Sequence, residues 1–328
     1  MQVIYPAGSE NVGDELNGWL WPALLGDIEN DSGKQVLLGI GTLLNKHFCE
    51  RLRDAEAIHV LGTGAGYGEP PRIDSRWHWH AVRGPLSARA MGLADDRAVA
   101  DAAYLLATLD WADWCPTGAD DVVVVPHHRS LRLVDWEQVC ARAGLTFLSP
   151  LLPAESFMRA LCNARLVITE AMHGAILADI LRKPWVAFSF GRQFAEDKWQ
   201  DWAQAFDLSL TLHRLLGFYD TARHGAGRGL PHHAGNWLKA ELWRRGLGKR
   251  KWRSLTPPGW PLTQALTELE AQLKRLALES GQLSGEQVFR QRVAQLHERV
   301  NDMRRQLGAD PILPLGGSPE RFFSGVRP

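Results

Sequence analysis

Neither sign of charge is in excess in this chain. Lys+Arg and Asp+Glu both number 37, so no global field draws it toward nucleic acid. Cysteine is scarce. The four, Cys49, Cys115, Cys140 and Cys162, stand far apart with no CxxC pair, which speaks for a reducing compartment and against both a disulfide framework and a structural zinc site. No window of about 18 apolar residues exists to span a bilayer. The N-terminal MQVIYPAGSENVGDE lacks a basic segment followed by an apolar one, so no secretory signal is expected and a cytoplasmic location follows as the expectation.

What is present suffices for a large core. The 328 residues are 45% hydrophobic and 23% charged, enough for one large core or two. Apolar runs bounded by turn residues predict strands over 3–5, 35–41, 57–62 and 78–82, with helices between them. Asp14 and Glu15 mark one helix start and Pro85 another. The turn-rich segment 116–120 divides this half from a second, with strands over 122–125 and 146–148 and helices over 131–143 and 154–163. Leu166–Phe190, LVITEAMHGAILADILRKPWVAFSF, then reads as strand, polar turn, amphipathic helix and strand. Alternation of this kind predicts an α/β fold of parallel sheets covered by helices, organised as two Rossmann-like lobes, 1–118 and 119–225.

Polar loops fall at the predicted strand ends, where open α/β sheets bind ligands. Asn11, Asp14 and Asn17 follow the first strand, Gly41 and Thr42 the second and Gly64 the third. Arg83 follows the fourth, and Asp101 closes VAD. In the second half His127, His128 and Arg129 follow VVVV, while Glu170 and His173 follow LVIT. His173 is expected at a helix N-terminus, where an imidazole can present a proton to a cleft near neutral pH. The loop GTGAGYG has no GxGxxG leading into a helix, so the dinucleotide fingerprint is absent. His78 and His80 share a strand face, and His232 and His233 lie near His224. No carboxylate or cysteine stands at ligand spacing beside them, so no metal is expected.

Taken together, NVGDELNGWLWPALLG, GIGTLL, LGTGAGYG, AVRGPLSARAMGL, VADAAYLL, VVPHH and ITEAMHGAILADILRKPWVAFSF resemble the polysaccharide pyruvyl transferases, in the family's order and spacing over roughly residues 1–200. The branch most resembled is that of the ketal-forming enzymes of succinoglycan-type exopolysaccharide assembly. The resemblance implies a glycosyltransferase-B-like pair of lobes facing a cleft. It also implies transfer of a pyruvyl group from phosphoenolpyruvate to two hydroxyls of a sugar, giving a ketal and phosphate, with no cofactor. Under it, His173, Asp14 and Arg83 are the expected catalytic residues. Gly41, Thr42, Gly64, His127, Arg129, Glu170, Arg192 and Lys198 are expected to bind the donor, and Asn11, Asn17 and Asp101 the acceptor. Many members carry an arginine where this chain has Ala171, so another cation, Arg192 or Lys198, must serve the donor's anion. The same lobes would suit a glycosyltransferase using a sugar nucleotide, and a non-catalytic scaffold of polysaccharide assembly is the alternative of a different class.

Beyond residue 225 the character changes. Residues 226–260 read as a basic, tryptophan-rich connector in which Lys239, Arg244, Arg245, Lys249, Arg250, Lys251 and Arg253 are interleaved with Trp237, Trp243, Trp252 and Trp260. Such a composition suits an anionic membrane surface, at the inner face where a lipid-linked oligosaccharide acceptor would stand. Leucines at 262, 266, 269, 273 and 276, and an apolar stripe from Phe289 to Leu307, predict a helical hairpin over 261–309 with packing or homodimer faces. The proline- and glycine-rich residues 310–328 are expected to be extended.

Overall fold

The computed structural model describes all residues except 7, 9–10, 29–33, 67, 191–193, 226, 250–251, 253–254 and 325–328. The chain is mixed α/β with two parallel sheets. The first has strand order β1-β2-β3-β4 (Gln2–Val3, Gln35–Leu38, Ala57–Leu61, Trp77–Ala81), and the second has order β6-β5-β7-β8-β9 (Thr146–Phe147, Asp121–Val125, Ala164–Thr169, Trp185–Ser189, Leu212–Arg214). Helices in the first half are α1 (Val12–Glu15), α2 (Asn17–Leu25), α3 (Lys46–Cys49) and α4 (Pro85–Ala90). The second half carries α5 (Trp136–Ala143), α6 (Ala154–Cys162), α7 (Met172–Ile180) and α8 (Glu196–Ala205). Then come α9 (Leu230–Arg244), α10 (Leu262–Leu276), α11 (Glu286–Gln306) and α12 (Pro319–Phe323).

The central strands are β-branched because parallel sheets bury both faces. Val122, Val123, Val124 and Val125 pair in register with Leu166, Val167, Ile168 and Thr169, and all eight are buried. One apolar cluster runs through both halves, joining Leu20, Trp21 and Tyr104 to Phe157, Ile176, Trp185 and Trp202. At the seam α4 packs on α8, and the 3-10 segment Ala102–Thr108 packs on α7 and α11. Gly62 makes one approach possible: at φ +85°, a methyl there would lie 2.4 Å from the backbone nitrogen of Ala102.

The C-terminal third departs from expectation. The helices α10 and α11 do not form a mutually packed hairpin. Leu269, Leu273 and Leu276 join a cluster with Trp136 and Val139 of α5, whereas Phe289, Leu296, Val300 and Met303 join the cluster that spans the seam. The stripes are thus covered by the chain's own elements, which removes the argument for a dimer through them. The loop before α11 is tied to α7. Asp179, fully buried in that helix, accepts hydrogen bonds from Ser284 N (2.8 Å), Ser284 Oγ (2.6 Å) and Tyr104 Oη (2.9 Å). Residues 230–244, expected in a connector, are helical, and Pro231 falls in the first turn, where its missing N–H costs nothing. The tail is not wholly extended: α12 buries Phe323 against Trp19 and Trp114. Cys115 and Cys162 are joined by a disulfide with Cα atoms 4.4 Å apart. Spacing along the chain could not reveal a pair that only the fold brings together, and the cysteine argument for a reducing compartment falls with it. No helix among the described residues is long and apolar enough to cross a membrane.

Candidate functional site

The segments that leave the C-terminal ends of the first sheet's strands meet those of the second, and most of the expected residues stand there. His173 lies in the first turn of α7, 8% exposed, and its Nε2 faces Asp101 Oδ2 at 3.7 Å. Asp101 is fully buried, and its Oδ1 caps the following 3-10 segment by accepting from Ala103 N at 3.0 Å. Neither Asp101 Oδ2 nor His173 Nε2 has a hydrogen-bond partner among the described residues. Two buried polar atoms from opposite halves therefore confront each other unsatisfied, an arrangement that costs stability unless something else gains by it. The other face of the ring is closed by α1: a methyl on Gly13 would lie 2.0 Å from His173 Nδ1. Asp101 was expected among the acceptor-binding residues; the fold places it against His173.

Arg83 is completely buried and belongs to a bridge between the halves. Its Nε donates to Asp201 Oδ2 at 3.0 Å, its Nη1 to Thr42 Oγ1 at 2.9 Å and its Nη2 to the Ala65 carbonyl at 2.8 Å. Nη2 also approaches Asp201 Oδ2 at 3.0 Å. Asp201, on α8, further accepts from Ser87 N at 2.9 Å and Ser87 Oγ at 2.5 Å. Gly64 lies flat on the guanidinium, where a methyl would come 2.3 Å from Cζ. The expectation that Arg83 is catalytic is corrected: its charge is already matched by a buried carboxylate, and three of its five donors are hydrogen-bonded within the chain. Thr42 and Gly64 serve that bridge. Gly41, at φ +120°, adopts a backbone that side chains rarely tolerate and leaves Asp14 Oδ1 3.3 Å from where a methyl would sit.

Asn17 is also corrected. Its Nδ2 donates to the carbonyls of Asp14 and Ile40, and its Oδ1 accepts from Trp21 Nε1 and Ile40 N. A buried amide so fully satisfied has nothing left for a sugar. Asn11 caps α1, accepting from Gly13 N and donating from Nδ2 to Asp14 Oδ2 at 3.2 Å, which fixes that carboxylate's direction. Glu170 joins strand ends, accepting from His127 N at 3.1 Å and Phe190 N at 3.0 Å.

Cations gather at one side. Burial pushes His127 down to about 3, with His128, Lys198 and Arg129 adding to the effect. His128 is lowered by burial and Arg129, against the pull of Asp14. Both imidazoles are therefore neutral at neutral pH. Because His127 Nδ1 accepts from Arg129 N, its Nε2 carries the proton and can donate. Lys198 on α8 lies along the glycine loop, where a methyl on Gly66 would come 2.6 Å from its Cγ. Arg192 lies outside the described residues. No group of three or more His, Cys, Asp or Glu placed to hold a metal occurs among the described residues. Sequence reasoning missed Asp201. On the helix EDKWQDWAQA it looks like one more solvated acid, and its partner is 118 residues away.

Residues 58–191 match the family model described as polysaccharide pyruvyl transferase. The succinoglycan biosynthesis protein ExoV of Rhizobium meliloti (strain 1021) is 34% identical over 212 residues, which cover 62% of this chain and 64% of that protein. The match thus spans just under two thirds of the relative's length. No solved structure matches the chain. The matched span holds Arg83, Asp101, His127, Glu170 and His173, while Asp14, Lys198 and Asp201 lie beyond its limits.

Proposed function

From the premise that this chain carries a polysaccharide pyruvyl transferase domain of the succinoglycan-type branch, we propose that it transfers the pyruvyl group of phosphoenolpyruvate to two hydroxyls of a saccharide. The observation that carries this reading is the buried confrontation of His173 and Asp101 across the seam. The reaction needs an acid: C3 of the enolpyruvyl group takes a proton as the first hydroxyl oxygen bonds to C2. Addition of the second hydroxyl oxygen to C2 then expels inorganic phosphate and closes the ketal. His173, held against Asp101 across the seam, is the proton donor in this reading. Asp14, aimed by Asn11, takes the hydroxyl protons. Lys198, Arg129 and the neutral His127 Nε2–H group offer donors for the phosphate and carboxylate. Arg83 and Asp201 act as positioning residues that fix the glycine loops on which this site rests.

The reading also extends to a glycosyltransferase-B-like arrangement of the two halves and to a lipid-linked acceptor at the inner membrane face. It is tested by incubating the enzyme with phosphoenolpyruvate and a synthetic oligosaccharide. The expected result is stoichiometric phosphate release with a product heavier by pyruvic acid less one water. Turnover should be lost in His173→Ala and Arg83→Ala, each with a folded-state circular dichroism spectrum. Wild-type kcat in His173→Ala would remove the proton-donor assignment, and transfer from a sugar nucleotide instead would replace the reaction.

A further inference from the structure

The four tryptophans interleaved with basic residues do not point in four directions. Trp237 and Trp243 of α9, Trp252 and Trp260 line one cavity of about 270 Å³, closed below by Phe218 and at one edge by Arg244. The wall is built to close tolerances. A methyl on Gly248 would lie 2.3 Å from the Trp252 ring, and one on Gly259 would lie 2.4 Å from Phe218. Glu268 and Gln272 of α10 complete the rim. Gln272 Nε2 and Arg275 Nη2 both donate to Glu268 Oε1, at 3.0 and 3.3 Å.

Arg244 is the one cation among the described lining residues. Glu241 pairs with Arg244 at 2.9 Å and with Arg245 at 3.0 Å, and Glu268 lines the same cavity. A phosphate or carboxylate would find no unpaired cation among the described lining residues. The cavity instead offers flat aromatic faces, whose negative quadrupole attracts weakly positive C–H groups, beside a carboxylate, an amide and a guanidinium. A pyranose ring has this pairing: a C–H face and an edge of hydroxyls.

The location ties the cavity to the site. Leu216, Gly217 and Phe218 follow the C-terminal end of β9, on the side of the sheet where His127, Glu170 and His173 stand. The Phe218 ring meets that of Phe190 edge to face at 5.5 Å, and Phe190 N is held by Glu170, three residues before His173. We propose that this cavity binds an uncharged sugar unit of the saccharide acceptor, next to the unit that reacts; its role in transfer rests on the function proposed above, but the binding does not.

The test uses the full chain with cellotetraose and maltotetraose as probes, followed by tryptophan fluorescence and saturation-transfer NMR. Saturable binding of either sugar is expected, weakened at least tenfold in Trp243→Ala and Trp252→Ala. Gln272→Ala, on the exposed rim, should weaken it severalfold without touching the core, and Trp252→Phe should restore part of the affinity. If transfer is assayed, KM for an oligosaccharide acceptor rises in these variants while kcat holds. Loss of transfer with sugar binding intact would count against the proposed reaction and leave the cavity standing. Absence of saturable binding to either sugar, or binding unchanged in all the alanine variants, would overturn it. So would adsorption to phosphatidylglycerol vesicles that Trp252→Ala abolishes without any response to sugar, which would make this a membrane face.

Discussion

Replacing Asp201 by alanine should be the most damaging single change outside the reacting groups, and the structure says by how much. The carboxylate accepts from Arg83 Nε, Ser87 N and Ser87 Oγ and lies 3.0 Å from Arg83 Nη2. Both partners of the ion pair are shielded from water, with side chains 0% and 2% exposed, so the loss is not screened. Removing one member of such a pair leaves a buried guanidinium without a counter-charge and costs about 3–5 kcal/mol, a large share of the ~5–15 kcal/mol that stabilises a typical protein. Asparagine is no remedy. Its amide must face either Ser87 N–H or the guanidinium, donor against donor, so Asp201→Asn should lose most of the same energy. The measurement is urea unfolding of wild type, Asp201→Ala, Arg83→Met and the double variant. At a slope of about 3 kcal/mol per molar, each single change moves the midpoint by about 1 M or more. The double variant should be less damaged than the sum of the two, with a coupling of about 2 kcal/mol or more. A loss below about 1 kcal/mol in Asp201→Ala, the range of an exposed pair, would refute the idea that this bridge holds the two halves together.

The remaining expectations are narrower. In Gly13→Ala the new methyl would occupy the space of His173 Nδ1, so kcat should fall about 100-fold or more through displacement of the ring; turnover near that of wild type would show that α1 can yield. Asp101→Asn should retain the fold yet lower kcat by about 10²–10⁴, and a change under threefold would reduce the His173 contact to packing. His59 and His80 share a hydrogen bond of 3.0 Å, and burial pushes them down to about 4 and about 3. The unfolded chain binds those protons first, so their contribution to stability is full above about pH 6.5 and is lost as the pH falls toward 4, at about 1.4 kcal/mol per histidine per unit. The stability difference between pH 7 and pH 5 should therefore shrink by about 2 kcal/mol in His80→Gln, and an unchanged difference would show that the pair does not titrate in this window.

Much of the fold was legible because the strands are buried on both faces and their β-branched runs stand out: VVVV and LVIT could hardly be anything else. The position of His173 was legible for the same reason, since a polar turn between such a strand and an apolar helix has one place to go. Partnership was not. The sequence shows that residue 83 is an arginine but not that a carboxylate 118 residues on already matches it. Asn17 looked like a sugar ligand because free amides bind hydroxyls, and only the fold shows that Trp21 and Ile40 have consumed it. The helix α9 was hidden by Gly235 and by histidines of low helix propensity. In the C-terminal helices the periodicity was right and the surface it met was not, since apolar spacing says that a face is covered and not by what.

Asp179 gives the last sixth of the chain a meaning that its distance from His173 conceals. The helix that presents the histidine at one end is moored by this carboxylate near its other end, to Tyr104 of the first half and to Ser284 of the loop before α11. A shift of that loop cannot leave α7 where it is without stripping a buried charge of its donors. The C-terminal helices are then less an appendage than a tensioning line: whatever pulls on them, a partner, a surface or a truncation, is felt as a change in the aim of the imidazole.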